Sequence, residues 1–405
     1  MTPRRRPTAV KPKGGKPVRA QATSALRLRE SAARTFERVT DALADAGLVF
    51  GAPEAALDEA AAAVMGPRRF ARHQAALAAY VDGRADARAL YATLRDGREA
   101  VLFQSHDAVV AAAAATHVFL SALQDAAPKA RVVELGAFSG VMTAAWAELR
   151  PDLRYGAFDR HRPLISAAAE MYGRRNIKFE AASYSVLARR PVSRAEAAAV
   201  VVSVFGINAD FVEAPYSLRS LLDVEAPLHK QAKSEARDLF RAARRRASDD
   251  ALSVHVLRAP RIARAFAYLD AATEAGFAFD ADKSKRFMVG DQPFLLLALR
   301  VAPVKAAASA ETFRSFWIRD TPPPDAAPGD FFDDDAVLMY DSLIDRRPIR
   351  SRATAARAGT AATRREFGSA RGFRYELVLG SDGTHALRLG SAIPSGRRSV
   401  RPGRS

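Results

Sequence analysis

Residues 131 to 143 read Arg-Val-Val-Glu-Leu-Gly-Ala-Phe-Ser-Gly-Val-Met-Thr. Val132, Val133 and Leu135 form an apolar run fit for a buried parallel strand. Gly136 and Gly140 let the backbone turn sharply and come close to a ligand before a helix starts. A second apolar stretch, Tyr155-Gly-Ala-Phe158, ends on Asp159, 23 residues beyond Gly136. That is close to the roughly 20-residue separation at which a carboxylate meets a ribose. Two adjacent strand ends are therefore expected to grip one nucleoside, with the turn's backbone N–H groups helping to hold it.

The dinucleotide fingerprint Gly-x-Gly-x-x-Gly would need a glycine at Phe138, and none is present. NAD thus falls behind other adenosine cofactors. On Glu134, Gly136, Phe138 and Gly140 the segment resembles the class I S-adenosylmethionine-dependent methyltransferases, with Phe138 in place of a middle glycine. An aromatic residue there is similar to the Glu-x-Gly-x-aromatic-x-Gly turn of catechol- and caffeoyl-type O-methyltransferases. The resemblance implies S-adenosyl-L-methionine as cofactor, held by Glu134, Gly136, Ala137, Phe138, Gly140, Asp159, Arg160 and Ser183. It implies methyl transfer, O- or N-directed, to an acceptor that it does not identify. The metal of the catechol type is not implied: residues 203 to 205 hold no aspartate, and Asp210 and Glu213 come too late. The Asn/Asp-Pro-Pro-aromatic motif of amino-nitrogen methylation is absent, as are cysteines for carbon methylation.

The segments after Asp159 alternate as a doubly wound sheet requires. A helix is expected from Pro163 to Tyr172, a third strand at Asn176–Glu180, a fourth at Ala199–Phe205, a helix near Lys230–Arg246 and a fifth strand at Leu252–Leu257. Pro260 and Gly276 bracket one more helix. Phe277–Phe279 and Phe294–Val301 then read as a closing antiparallel pair. The expected fold is α/β, a Rossmann-like seven-stranded methyltransferase sheet with an N-terminal helical domain and a small β-containing C-terminal extension. The boundaries are a disordered basic tail over 1–22, helices over 23–125, the methyltransferase domain over 126–303, and a linker and extension over 304–405. For a hydroxyl acceptor a general base would help, and Asp210 and Tyr216, after the fourth strand, are better placed than Asn208 or His255. His255 alternates with Val254 and Val256 inside a strand and reads as structural.

With 49% hydrophobic residues over 405 positions, the chain can bury a sizeable core. No apolar run reaches the about 18 residues of a membrane helix. Ala108–Leu123 comes nearest, but Asp107, Thr116, His117 and Asp125 mark it as a packing helix whose start lies at Ser105–Ala108. The zero cysteines exclude disulfides and thiolate chemistry. The net charge of +17 sits at the ends: residues 1–20 hold seven basic and no acidic residues, 345–405 fourteen basic and four acidic. The stretch between is electrically balanced, so contact with nucleic acid is expected to be non-specific and through the basic tails. The N-terminal run has no apolar core of a secretory signal, and cytoplasmic residence without membrane contact is the expectation.

Leu26, Ala33, Phe36, Val39 and Leu43 recur at helical spacing, and glycine and proline at 47, 51, 53, 66, 67 and 83 break the helical region into pieces. Thr321–Gly329 reads as a linker, and Asp330–Asp335 as an acidic run around Phe331 and Phe332. Phe373–Leu379 and Ala386–Leu389 flank Gly380-Ser-Asp-Gly383 as a hairpin, which has to dock on something to be stable. The rival reading is a catalytically silent domain of the same fold that binds RNA or protein through its basic ends.

Overall fold

The computed structural model describes residues 18–82, 84–85, 87–206, 227–258, 262–302, 306–320, 324–343, 346–354, 363–370, 372–380 and 385–392. The chain opens with helices α1 (Val18–Asp45), α2 (Glu54–Met65), α3 (Pro67–Val81), α4 (Ala87–Tyr91), α5 (Gly97–Ser105) and α6 (Ala108–Val118), the last continued by a π turn over Phe119–Leu123. Gly66, at φ 75°, separates α2 from α3, and Pro67 starts the next helix without losing a needed N–H. Helix α1 begins at Val18, inside the range expected as tail. Its buried stripe is Thr35, Val39, Ala42 and Leu43, whereas Ala33 and Phe36 face solvent. Of the expected stripe Val39 and Leu43 are buried, Ala33 and Phe36 are not, and the surroundings of Leu26 lie outside the described residues. Asp107 begins α6 through its carbonyl, which accepts Ala111 N at 2.8 Å, while its carboxylate pairs with Arg258 at 2.9 Å. Helix α6 lies on the sheet, with Ala112, Ala114, Ala115 and Val118 fully enclosed. Among the described residues no single helix is long and apolar enough to cross a membrane.

The alternating part runs β1 (Arg131–Leu135), α7 (Val141–Leu149), β2 (Arg154–Asp159), α8 (Arg162–Tyr172), β3 (Ile177–Ala181), α9 (Tyr184–Arg189), β4 (Ala198–Val204), α10 (Pro227–Arg246), β5 (Ala247–Arg258), α11 (Ile262–Glu274), β6 (Phe277–Phe279), β7 (Lys285–Val289) and β8 (Gln292–Val301). The strand order is β3-β2-β1-β4-β5-β8-β6, with β7 also paired to β8. Strands β1 to β5 are parallel, and β8 runs antiparallel to β5. This is a Rossmann-like sheet of the methyltransferase type. It has eight strands rather than the expected seven, because β8 is long enough to carry two partners besides β5: β6 pairs with Leu299–Val301 and β7 with Gln292–Leu296.

Both faces of the sheet are covered, which is why its strands are nearly continuous apolar runs. Val132, Val200, Val202, Val254 and Val256 pack toward α1, α6 and α7. Val133, Leu135, Val201, Leu295 and Leu297 pack toward α10 and α11. From β1 the chain moves outward through β2 and β3 and then crosses back to the other side of β1 to form β4, so the switch point of the sheet lies at the C-terminal ends of β1 and β4.

The C-terminal part is more than a hairpin. It comprises α12 (Ala306–Asp320), β9 (Gly329–Phe332), α13 (Asp333–Ser342), β10 (Arg347–Thr354), β11 (Thr363–Ala370), β12 (Phe373–Gly380) and β13 (His385–Ala392). The strands form an antiparallel sheet in the order β10-β11-β12-β13-β9. The expected pair is its centre, β12 with β13, although turn residues 381–384 lie outside the described residues. The inner face, Tyr375, Leu377, Leu379, Leu387 and Leu389, joins the same apolar core as α10, α11 and α12.

Candidate functional site

The turn after β1 is stitched to the end of β2. Gly136 N and Ala137 N donate to Phe158 O at 2.8 and 3.0 Å. Phe138 N donates to Asp159 Oδ2 at 2.9 Å, and His161 N donates to Asp159 Oδ1 at 2.8 Å. Asp159 is thus a buried carboxylate clamped by two backbone amides, each oxygen keeping an unused lone pair. Three residues of the turn have positive φ: Gly136 at 82°, Phe138 at 50° and Gly140 at 77°.

Phe138 tolerates this conformation because its ring is held from outside. Tyr91 at the end of α4 lies 5.1 Å from it and Phe103 of α5 lies 6.2 Å away. Ser139 Oγ donates to Gln104 Oε1 at 2.6 Å, a second tie from α5 to the turn. The N-terminal helices therefore form one wall of the site. An aromatic ring can replace the middle glycine where such a wall exists to bury it.

Glu134 does not open toward the crevice. It is buried on the α7 side, accepts a hydrogen bond from Thr143 Oγ1, and burial pushes its carboxyl up to about 8. Ala137 is buried, and Arg160 is exposed with its Nε 3.4 Å from His161 Nε2. Ser183 caps α9 by accepting Val186 N at 3.4 Å and lies 3.1 Å from Ser185 Oγ. Ala182 N donates to Asp159 O at 2.8 Å, which brings the 182–183 edge beside the β2 carboxylate. Gly136, Ala137 and Phe138 are thus tied to Phe158 and Asp159 at the end of β2, with Arg160 and Ser183 next to residues bonded to Asp159, whereas Gly140 packs on Phe179 and Ala168 and Glu134 lies on the α7 side.

Tyr184 is the residue that sequence reading missed. Its hydroxyl donates to Gly206 O at 2.8 Å, and a Cβ added at Gly136 or Gly206 would meet that oxygen at 2.5 or 2.7 Å. The phenol fills the crevice between the ends of β1 and β4, and burial raises its pKa well above the usual tyrosine range. It follows Ala182-Ser183 directly, so an aromatic residue at the start of the α9 helix was the available signal. His161 was also missed; its ring meets Tyr91 edge-on at 5.7 Å, and burial lowers its pKa against the opposing pull of Asp159. Tyr91 and Gln104 stand far upstream in helices with no local mark of a site.

Asn208, Asp210, Glu213 and Tyr216 lie outside the described residues. His255, on β5, is fully enclosed against Phe240 of α10, whose ring centre is 4.9 Å away. Its Nε2 is hydrogen-bonded to Ser253 Oγ at 2.8 Å, and burial pulls its pKa down to about 3. It is a neutral core histidine, as its alternation with valines suggested.

No family model matches the chain, and no curated protein matches it in sequence. Among solved structures it is similar to TrmN from Thermus thermophilus, at 17% identity over 47% of this chain and 48% of that one, with a TM-score of 0.33. It is similar to human N-acetylserotonin methyltransferase in complex with SAM, at 15% identity over 58% and 68%, TM-score 0.36. It is also similar to the CurJ carbon methyltransferase, at 13% identity over 66% and 80%, TM-score 0.39. At such identities and scores the likeness carries no weight for cofactor, acceptor or residue roles.

Proposed function

We propose that the chain is an S-adenosyl-L-methionine-dependent methyltransferase whose cofactor site is the crevice over β1, β2 and β4. The observation that carries this reading is the Asp159 carboxylate, fixed by two backbone N–H groups beside a positive-φ turn at the switch point of a methyltransferase-type sheet. The donor set fits an adenosyl group. Asp159 has an unused lone pair on each oxygen for the two ribose hydroxyls, and the Ala182–Ser183 edge and exposed Arg160 border the same place. When bound, the cofactor supplies an electrophilic sulfonium methyl to a nucleophilic acceptor.

The chain's own residues bind, shield and orient. Phe138, Tyr91 and Phe103 exclude water above the turn. Glu134 is neutral near pH 7 and fixes α7 through Thr143, so it adds no second negative charge beside Asp159. Alignment of two reactants alone can supply on the order of 7–11 kcal/mol, so an already nucleophilic acceptor needs little more. The proposed transfer is O- or N-directed, to an acceptor left open, and Asp210 and Tyr216 are the proposed base candidates. Boundaries near residues 125 and 303, read as divisions of the sequence rather than separately folding units, cytoplasmic residence and non-specific nucleic-acid contact through the basic tails belong to the same proposal.

A silent domain of this fold is the second reading, and one observation favours it: the Tyr184 hydroxyl occupies the crevice. Calorimetric titration with S-adenosylmethionine and S-adenosylhomocysteine separates the two. The methyltransferase reading expects micromolar binding that Asp159→Ala abolishes and Tyr184→Phe retains. Intact, folded protein that binds neither compound at millimolar concentration establishes the silent reading instead.

A further inference from the structure

We infer that the outward face of the C-terminal sheet is a binding surface for single-stranded nucleic acid. The inference stands apart from the methyltransferase reading, because it concerns another sheet and needs no cofactor. The strand register fixes which residues share this face. Arg350 and Arg352 of β10 stand opposite Phe367 and Arg365 of β11, which stand opposite Glu376 and Val378 of β12. Arg374 follows on β12, Ala386 and Arg388 come from β13, and Phe332 and Asp330 from β9. The inner face is buried in the core, so this is the side the sheet leaves to solvent.

Three features define what it can bind. The first is charge: the face carries five arginines against two carboxylates, and Glu376 and Asp330 are already paired with Arg365 at 3.1 Å and Arg388 at 2.7 Å. Arg350, Arg352 and Arg374 are the excess, all exposed, and guanidinium groups recognise phosphate by paired N–H donors. The second is aromatic: the Phe332 ring is 63% exposed, a cost to a free protein that a stacked base removes. Arg350 stacks over Phe367 at 4.8 Å, which extends the flat surface toward the β10 edge. The third is shape, a groove of about 310 Å³ with Phe332, Val378, Ala386 and Leu387 as its apolar lining and the ion pairs Arg365–Glu376 and Arg388–Asp330 at its sides. That volume is at the lower end for sites that take small planar groups. Arginines interleaved with exposed aromatics on an open sheet face suit a chain of bases and phosphates. An acidic peptide would use the arginines and leave Phe332 without a role.

The test is fluorescence anisotropy of the full-length protein with a labelled 12-nucleotide oligouridylate at several salt concentrations. Phe332→Ala is compared with the triple change Arg350→Ser, Arg352→Ser, Arg374→Ser, and with Arg174→Ser, a surface change on the other side of the fold. Phe332→Ala is expected to weaken binding roughly ten- to a hundred-fold. The triple change is expected to weaken binding and to reduce the slope of log K against log salt by about 2, from three phosphate contacts at about 0.7 each. Arg174→Ser should bind as the unaltered protein does. The inference is overturned if Phe332→Ala and the triple change both bind like the unaltered protein, since the affinity then resides in the basic tails. It is equally overturned if the oligonucleotide does not bind, or if polyglutamate binds as tightly and ignores Phe332→Ala. Circular dichroism confirms folding, and the two variants, altered at different places, keep the test decisive should one be unstable.

Discussion

Glu134 gives the most direct physical check on the site. Its carboxyl titrates at about 8 in the folded chain against an ordinary value of 4.5, because burial penalises the charged form. A raised folded pKa means that the folded state holds a proton that the unfolded state has lost between those values. Stability from this group is therefore full below about pH 4.5 and falls as pH rises toward 8, with a limiting slope of about 1.4 kcal/mol per pH unit. Urea midpoints measured from pH 5 to 8 should decline for the unaltered protein and flatten for Glu134→Gln; parallel curves would assign the pH dependence elsewhere. Gly140 tests the turn. Its φ of 77° is left-handed, and a Cβ there would lie 2.7 Å from the Phe179 ring and 2.8 Å from Ala168 Cβ. Gly140→Ala should cost about 2 kcal/mol or more by chemical denaturation, from strain together with overpacking.

Helices and strands differ sharply in how openly the sequence declares them. The apolar runs at 132–135, 155–158 and 199–204 are legible because a parallel strand covered on both faces has no polar side to blur it. Asp159 and the two turn glycines were legible for a related reason, their spacing being set by strand and turn geometry. Strand β10, Arg347-Pro-Ile-Arg-Ser-Arg-Ala-Thr354, was not, since it is exposed along its whole length and shows no alternation. The hairpin of β7 and β8 was missed although Gly290-Asp291 marks its turn, with Gly290 at φ 61°. Side chains that meet across elements left no local trace, and the Glu366 cluster is one such case. Tyr340 of α13 and Tyr375 of β12 both donate to Glu366 Oε1 of β11, the latter at 2.9 Å, and all three residues are buried. Glu366→Ala strands two buried phenols, so a loss of about 2–4 kcal/mol in unfolding free energy is expected. Arg246 behaves in the opposite sense. Its Nε and Nη2 are buried without partners, over the Phe158 ring at 5.2 Å, and burial lowers its pKa. Arg246→Met should therefore be neutral or stabilising by about 1 kcal/mol, read as an unchanged or higher melting temperature.

The two sheets share one core, and that changes what residue 303 means. A boundary there follows from composition, since the β8 strand ends and a proline- and acid-rich stretch comes later. Yet Phe313 of α12 meets Phe266 of α11 at 5.0 Å and Phe279 of β6 at 5.1 Å, and Phe316 meets Phe279 at 5.3 Å. Trp317 is fully buried, with the Arg286 guanidinium of β7 3.9 Å above its ring. Leu377, Leu387 and Leu389 of the second sheet lie in the same continuous cluster as Leu295, Leu297 and Phe277 of the first. Independent domains meet through surfaces that are more polar and more easily parted than this. Unfolding should accordingly appear as one calorimetric transition, with fluorescence and far-ultraviolet dichroism tracing the same curve. A chain cut after Ala302 would leave Phe266, Phe277 and Phe279 facing water, at about 1.5–3 kcal/mol for each large apolar side chain uncovered. Such a protein should be insoluble or melt far below the full chain. A truncated form that keeps the melting temperature of the parent would show instead that 304–405 is an appendage to a self-sufficient sheet.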